Sequence, residues 1–172
     1  MFYVVTCRFN NETRDANYAY RTKHGYECMY CSPLELSPKI SYDAPIFVIE
    51  MNNSVNKIEG IGLIKNKPET NRYYKVHIDG NTNRYIYIGS YYIDRESIER
   101  INPLLVYILE EILFKGKTHS KRGWGLLLLP EKVLQFDICK DTDIKKEIKD
   151  LFVFHFRDKI KKDTIEEKDK EK

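Results

Sequence analysis

Apolar residues change their spacing part-way along this chain, and that change constrains the fold class more than any other feature. Before residue 94 they alternate or form short β-branched runs, which is typical of strands. The predicted strands are 2–9, 45–51, 57–64, 73–78 and 84–93. After residue 94 the apolar residues follow the helical period. Strands followed by helices predict an α+β fold with a mostly antiparallel sheet, arranged as a small β-barrel with flanking helices.

Turn residues group four of these strands into two hairpins. The first hairpin joins the second and third predicted strands at an Asn-Asn-Ser turn, and the second joins the fourth and fifth at an Asp-Gly-Asn turn. Gly60 and Gly62, inside the third strand, indicate a bulge or a close approach of the backbone to another group. Residues 17–43, in contrast, predict a long irregular loop with scattered tyrosines.

Helix signals dominate the second half of the chain. Asp94 predicts one N-cap, and Asn102 followed by Pro103 predicts a second. A short strand and a final helix follow nearer the carboxyl end. Beyond that helix the apolar period is lost and charges of both signs mix. We therefore expect one α+β domain over residues 1–156 and a charged, disordered tail over residues 157–172.

Residues 115–125 (Lys-Gly-Lys-Thr-His-Ser-Lys-Arg-Gly-Trp-Gly), called the basic loop below, carry four lysine or arginine side chains and no acid. The net charge of the whole chain is only +3, so a polyanion must be bound by a local patch such as this one. Lysine and arginine at this density suit phosphate oxygens, and the single Trp at the end of the loop suits a stacked base.

The residue types in the basic loop predict which part of a nucleic acid each side chain binds. Lys117, Lys121 and Arg122 are predicted to bind phosphates. His119 and Ser120 are predicted to hydrogen-bond a phosphate or a base edge, and Trp124 to stack on a base. The alternative hypothesis is a flexible, solvated connection whose Trp fills the core.

Outside the basic loop, three side chains on the predicted strands are further candidates. Tyr91 and Tyr92 are neighbours on one predicted strand, so one of them must face outward and could add an aromatic to the nucleic-acid surface. His77 is expected to be an ordinary half-exposed strand residue, with a place on the same surface as the alternative.

The cysteines predict neither a metal nor a cofactor. Cys28 and Cys31 have the Cys-x-x-Cys spacing of a zinc site, and His24 could be a third ligand. A fourth ligand, however, would have to come from Cys7 or Cys139, far away in the sequence. Free, buried thiols are the favoured interpretation.

No sequence signature assigns a catalytic residue. The chain has no Gly-x-Ser-x-Gly, no phosphate-binding P-loop and no dinucleotide fingerprint. His119 with Lys121 could act on a phosphodiester, but no second catalytic group is indicated. A non-enzymatic binding module is therefore favoured, with a phosphodiester- or nucleotide-processing enzyme as the alternative.

Residues 116–123 follow a Leu/Ile-rich helix and precede an apolar run and Pro130-Glu131-Lys132. In this layout they resemble a segment of uncharacterised proteins of large DNA viruses that infect eukaryotes. The frequent use of Asn, Lys, Ile and Tyr fits an AT-rich viral genome. The resemblance implies a viral protein that works inside an infected cell, in the host cytoplasm or at a viral replication site.

Two strands carry a second resemblance. Residues 45–50 (Pro-Ile-Phe-Val-Ile-Glu) and the glycine-bearing residues 58–64 resemble the PUA-like superfamily, which includes the EVE and YTH modules. This resemblance implies a small β-barrel that binds RNA or a modified base, often in an aromatic pocket. No pocket residue of that superfamily aligns with this chain.

These observations together predict a nucleic-acid-binding module that prefers RNA or single strands. A second alternative is a virion or host-interaction protein that binds a viral or host partner through its Tyr-rich residues 18–42. No membrane partner is expected, because no apolar run approaches the roughly 18 residues that cross a bilayer.

Overall fold

A computed structural model describes residues 1–170 of the chain and shows a mixed α+β fold. In chain order its elements are β1 (Tyr3–Phe9), α1 (Asn11–His24), β2 (Cys28–Ser32), β3 (Pro45–Asn52), β4 (Lys57–Lys65), β5 (Tyr85–Gly89), β6 (Tyr91–Asp94), α2 (Arg95–Ile101), α3 (Pro103–Phe114), β7 (Leu127–Leu128), two 3-10 helices (Glu131–Gln135 and Asp137–Cys139) and α4 (Ile144–Lys170). No helix within the described residues is both long enough and apolar enough to cross a membrane.

Two sheets form the centre of the fold. The main sheet has the strand order β6-β4-β3-β1-β7, and β2 pairs with β5 in a separate two-stranded sheet. Among the strands within residues 1–170, only β1 and β3 are parallel neighbours, so the mostly antiparallel α+β fold predicted from the sequence is confirmed. The predicted closed barrel is not observed in residues 1–170, because β5 pairs with β2 and no strand joins the edges β6 and β7.

The predicted second hairpin is wrong. The strand expected over residues 84–93 breaks at Ser90, and its halves β5 and β6 belong to different sheets. Residues 73–78 form no strand. The Asn83 side chain makes the two hydrogen bonds to the His77 backbone that a neighbouring strand would make, at 2.8 and 2.7 Å. A side-chain amide thus replaces a strand partner, which a period-two pattern cannot reveal.

Helix α1 lies where the sequence predicted a turn and an irregular loop. Its start is a capping box, in which the Asn10 side chain accepts from the Thr13 N–H at 2.8 Å and the Thr13 hydroxyl accepts from the Asn10 N–H at 3.0 Å. The residues that α1 buries are Asn17 and Arg21, both polar. The helix therefore has no apolar stripe, and this is why the apolar period missed it.

Each face of the main sheet is covered by a different layer. The helical layer packs on one face and includes Ile98 of α2, Leu109 of α3 and Ile148 of α4. The β2–β5 sheet packs on the other face through Tyr30 and Tyr87. The far side of the β2–β5 sheet is in turn covered by buried residues of the 73–78 segment. The main sheet thus separates the first two cores, and the β2–β5 sheet separates the second core from the third cluster, to which the segment that contains His77 belongs.

Helix α4 extends further than the sequence predicted. Its first half is anchored by buried apolar residues, and extending an established helix costs much less than starting one. Lys159 donates to the carbonyl of Ser90 at 2.6 Å, and Tyr91 donates to Asp163, so contacts with β6 continue into the predicted tail. Residues 157–170 are helical, and the last two residues of the predicted tail, 171–172, lie outside the described residues.

A buried ion pair joins the two sheets and α1. Arg21 of α1 donates to Glu50 of β3 at 2.9 Å, and both side chains are almost fully buried. Tyr30 of β2 donates to the same carboxylate at 2.8 Å, and Tyr92 of β6 donates to it at 3.1 Å. Glu50 therefore accepts from side chains of three different elements, which satisfies its buried charge.

Burial and the neighbouring Glu50 shift the pKa values of Arg21, Tyr30 and Tyr92. Burial lowers the pKa of Arg21, but Glu50 and the neighbouring phenols more than offset this, so the net shift of the pKa is upward. Burial, followed by the charge of Glu50, raises the pKa of Tyr30 and of Tyr92 well above the ordinary value. Both phenols consequently stay protonated and donate.

Removing the charge of Glu50 tests this pair. We expect Glu50→Gln to lower the free energy of unfolding by about 3–5 kcal/mol, because it leaves the Arg21 guanidinium buried without its counter-charge. Urea unfolding measures the change, with the exposed Glu69→Gln as the matched control. A Glu50→Gln protein as stable as the control would show that the ion pair is dispensable.

Gly62 of β4 is needed for the close packing of the two sheets. A Cβ at this position would collide with the Tyr30 hydroxyl and lie 2.9 Å from the Cys28 Sγ. We expect Gly62→Ala to cost about 1–3 kcal/mol of stability through overpacking. The control is Gly80→Ala, whose Cβ would meet nothing nearer than the Tyr73 hydroxyl at 3.7 Å. Equal unfolding midpoints for the two variants would contradict this account.

Candidate nucleic-acid interface

Hydrogen bonds fix the backbone of the basic loop to the body of the protein. The Ser120 N–H donates to the carbonyl of Leu113 at 2.7 Å. Arg8 of β1 donates to the carbonyl of Ser120 at 2.7 Å, and Asn53, in the turn after β3, donates to the carbonyl of Lys121 at 2.9 Å. The loop is therefore attached to two distant parts of the chain and is not a free connection.

The cations of the basic loop are presented to solvent. Lys117 and Arg122 are exposed and Lys121 is half-buried. Within residues 1–170 none of the three forms an ion pair, whereas Lys115 pairs with Glu111 of α3. An unpaired cation can meet a phosphate without first breaking an internal ion pair.

His119 and Ser120 have structural contacts inside the loop. The Nδ1 of His119 accepts from the N–H of Lys121 at 3.2 Å, which leaves Nε2 as the nitrogen that can meet a ligand. Ser120 uses both of its backbone groups to anchor the loop, as described above. Both residues are half-buried, and these bonds support the loop conformation.

Trp124 is 77% exposed, so it does not fill the core. It stands between Gly123 with a φ of 114° and Gly125 with a φ of 68°, a region of backbone space that side chains disfavour. A Cβ at Gly125 would also collide with the Ser32 side chain. The two glycines thus hold the loop close to the end of β2 and turn the indole outward, which leaves its faces available for stacking.

A cleft of about 300 Å³ opens beside Trp124. This volume is at the lower end of the range that small-ligand sites occupy. The walls come from the end of β1, the start of α1, the end of β2, the 77–82 segment and the basic loop. The lining residues are Cys7, Arg8, Phe9, Thr13, Tyr30, Cys31, Pro33, His77, Asp79, Thr82, Gly123, Trp124 and Gly125.

The polar side chains of this cleft include both donors and acceptors. Burial lowers the pKa of His77 and the charge of Asp79 opposes this only in part, so its imidazole is neutral at neutral pH and carries one donor and one acceptor. Asp79 accepts from the Thr82 hydroxyl at 3.1 Å and from the Asn81 N–H at 3.0 Å. Burial also lowers the pKa of Arg8, but an arginine starts so high that it stays cationic.

The structure does not bring Tyr91 and Tyr92 to the basic loop. Both lie on β6, at the edge of the main sheet opposite β7. The Tyr91 hydroxyl donates to Asp163, and its ring packs on Phe156 at 5.1 Å between centroids. The Tyr92 hydroxyl donates to Glu50, as part of the buried ion pair described above. Each phenol is occupied by a contact within the fold.

The four cysteines form no disulfide within the described residues 1–170. Cys28 and Cys31 lie three residues apart on β2, so their side chains point to opposite faces of the strand. Burial raises the pKa of each thiol to about 12, so both are protonated at neutral pH. Within residues 1–170 no three His, Cys, Asp or Glu side chains are grouped to hold a metal ion.

Comparison with protein-family models, with curated proteins and with solved structures finds no match to this chain. The site is therefore defined by its geometry.

The sequence predicted the basic loop and Trp124 as parts of the site. It did not indicate Arg8, Asp79 or Thr82, and it predicted that His77 lies on a strand. The Asp-Gly-Asn sequence predicted a turn within residues 77–82, but no local pattern indicated that this turn would lie next to the basic loop.

Because Trp124 is the single Trp of the chain, tryptophan fluorescence reports the exposure of this one side chain. We expect its fluorescence to be quenched by acrylamide almost as readily as that of a free tryptophan amide, because three quarters of the side chain is exposed. The control is the same titration in urea, where every tryptophan is exposed, and quenching should change little between the two. Blue-shifted, protected emission in the native protein would place the indole in the core instead.

Proposed function

We propose that this protein is a nucleic-acid-binding module that takes RNA or another single strand at the basic loop. The observation that carries the proposal is an exposed Trp124, held by a fixed backbone beside Lys117, Lys121 and Arg122, which form no ion pair within residues 1–170. Lys117, Lys121 and Arg122 bind phosphates, and Trp124 stacks on a base. His119 supplies its Nε2 to a phosphate or base edge, and Ser120 holds the loop in place.

The charge distribution supports a local and salt-sensitive contact. With a net charge of +3, the protein as a whole attracts a polyanion only weakly. The basic loop concentrates its cations within eleven residues, so binding there releases condensed counterions from the strand. A fixed loop loses little conformational entropy on binding, which favours affinity.

An exposed indole favours single strands over a regular duplex. The bases of a duplex already stack on one another, and their faces are closed to a protein side chain. A single strand presents unstacked bases, and stacking on an aromatic side chain contributes about 1–3 kcal/mol per base. The viral setting and the PUA-like relation implied by the resemblances stay predictions that this proposal does not need.

Neutralising two loop cations tests the proposal. We expect Lys121→Ala with Arg122→Ala to weaken binding to a single-stranded RNA or DNA oligonucleotide of about a dozen nucleotides. The slope of log affinity against log salt should fall by about 1.4, because each phosphate contact on a single strand contributes about 0.7. Fluorescence titration of Trp124 at several salt concentrations measures both quantities.

The matched control removes the same charge from another element. Lys161→Ala with Lys162→Ala on α4 also deletes two exposed cations. We expect this variant to keep the wild-type salt slope. A slope that falls equally in both variants would show that only net charge matters, and an unchanged slope in the loop variant would refute phosphate binding at the loop.

The two alternatives predict other outcomes. An enzyme acting on phosphodiesters or nucleotides would turn over its substrate, and His119→Ala would abolish turnover while binding survives. A virion or host-interaction protein would bind a partner through residues 18–42, where Tyr18 and Tyr42 are 51% and 71% exposed. Substituting those two tyrosines would then abolish partner capture and leave oligonucleotide binding intact.

A further inference from the structure

We infer that the cleft beside Trp124 receives one unpaired nucleobase of the bound strand, while the phosphates stay outside on the basic loop. This inference rests on the proposed function and assigns its ligand more narrowly. The site is the 300 Å³ cleft between the end of β1, the 77–82 segment and the loop. Its ligand class is a single base extruded from the strand.

The distribution of charge separates a phosphate site from a base site. Lys117, Lys121 and Arg122 do not line the cleft, whereas the acid Asp79 does. A phosphate inside would lie near that carboxylate, and like charges in a partly desolvated site repel. The one cleft cation, Arg8, already donates to the carbonyls of Ser120 and Thr6, at 2.7 and 3.4 Å. The cleft therefore favours a neutral polar ligand over an anion.

The polar side chains match the edge of a nucleobase. Every base presents hydrogen-bond donors, acceptors or both on its edges. The neutral imidazole of His77 offers one donor and one acceptor, and Asp79 offers acceptors. Thr82 places a hydroxyl beside them. Trp124 at the mouth supplies an aromatic surface for the face of the base or for its neighbour in the strand.

The cleft walls are held before any ligand arrives. Asn83, which is buried, binds both backbone groups of His77 and so fixes the position of that residue. Thr82 and Asp79 are joined by the hydrogen bond described above. Gly125 packs against the end of β2, with Pro33 Cδ only 3.4 Å from where a Cβ would lie. A pre-formed cleft avoids the entropy cost of ordering its walls on binding.

Abasic oligonucleotides test the inference directly. Two single-stranded DNA ten-mers are compared, one with ordinary bases and one with an abasic sugar at every position, so that the number of phosphates is equal. We expect the ordinary strand to bind at least tenfold more tightly and to quench Trp124, since one stacked base contributes a factor of that order. We expect the salt slopes to be equal.

The outcomes separate the two proposals. Equal affinity for both strands, with the salt slope retained, would overturn the base site and leave phosphate binding at the loop intact. No binding of either strand would overturn the proposed function itself. Tighter binding of the ordinary strand that disappears in duplex DNA supports both.

Thr82→Val gives a second measurement at the cleft wall. Valine keeps the shape of threonine but removes the hydroxyl and leaves every cation in place. We expect this variant to weaken binding of the ordinary strand several-fold and to leave binding of the abasic strand unchanged. The exposed Thr70→Val is the control and should alter neither. An equal loss on both strands would place Thr82 outside the base site, and urea unfolding confirms that each variant folds.

Discussion

The ion pair between Arg21 and Glu50 is the interaction on which the rest of this structure depends. It ties α1, β2 and β6 to the centre of the main sheet, through a carboxylate that also accepts from two tyrosines. A buried charge pair stabilises a fold only when its hydrogen bonds are complete, and this one has partners on both oxygens. By fixing β2 over the main sheet, it also positions the surface that the 73–78 segment covers. The cleft beside Trp124 is therefore built on that contact.

The candidate interface divides its tasks between two kinds of residue. The cations Lys117, Lys121 and Arg122 of the basic loop do not line the cleft, and in the proposed function they bind phosphates through an attraction that salt weakens. The side chains inside the cleft are mostly neutral or paired and offer directional hydrogen bonds. Phosphate contacts set affinity and position, whereas contacts to a base set selectivity. Arg8 links the two regions, because it lines the cleft and holds the carbonyl of Ser120.

Much of the fold follows from local patterns, and the exceptions have a common cause. The strands β1, β3 and β4 and the helix α3 were predicted because most of their buried residues are apolar, and α2 was predicted from its N-cap Asp94. Helix α1 was missed because the residues it buries are Asn17 and Arg21, whose partners lie on other elements. In the predicted strand at 73–78, both backbone groups of His77 bond the Asn83 side chain in place of a neighbouring strand. In each case a polar side chain performs a task that apolar spacing does not record.

The sequence by itself determined the α+β class, the hairpin of β3 and β4, and the chemistry of the basic loop. Those features depend on residues close together in the chain. Only the tertiary structure decided that β5 pairs with β2, that Tyr91 and Tyr92 belong to the fold, and that His77 and Asp79 face Trp124. Arg8 and Ser120 meet across 112 residues, and Asn53 meets Lys121 across 68. Such contacts depend on how the whole chain packs and satisfies its hydrogen bonds, and a local spacing of residues does not predict them.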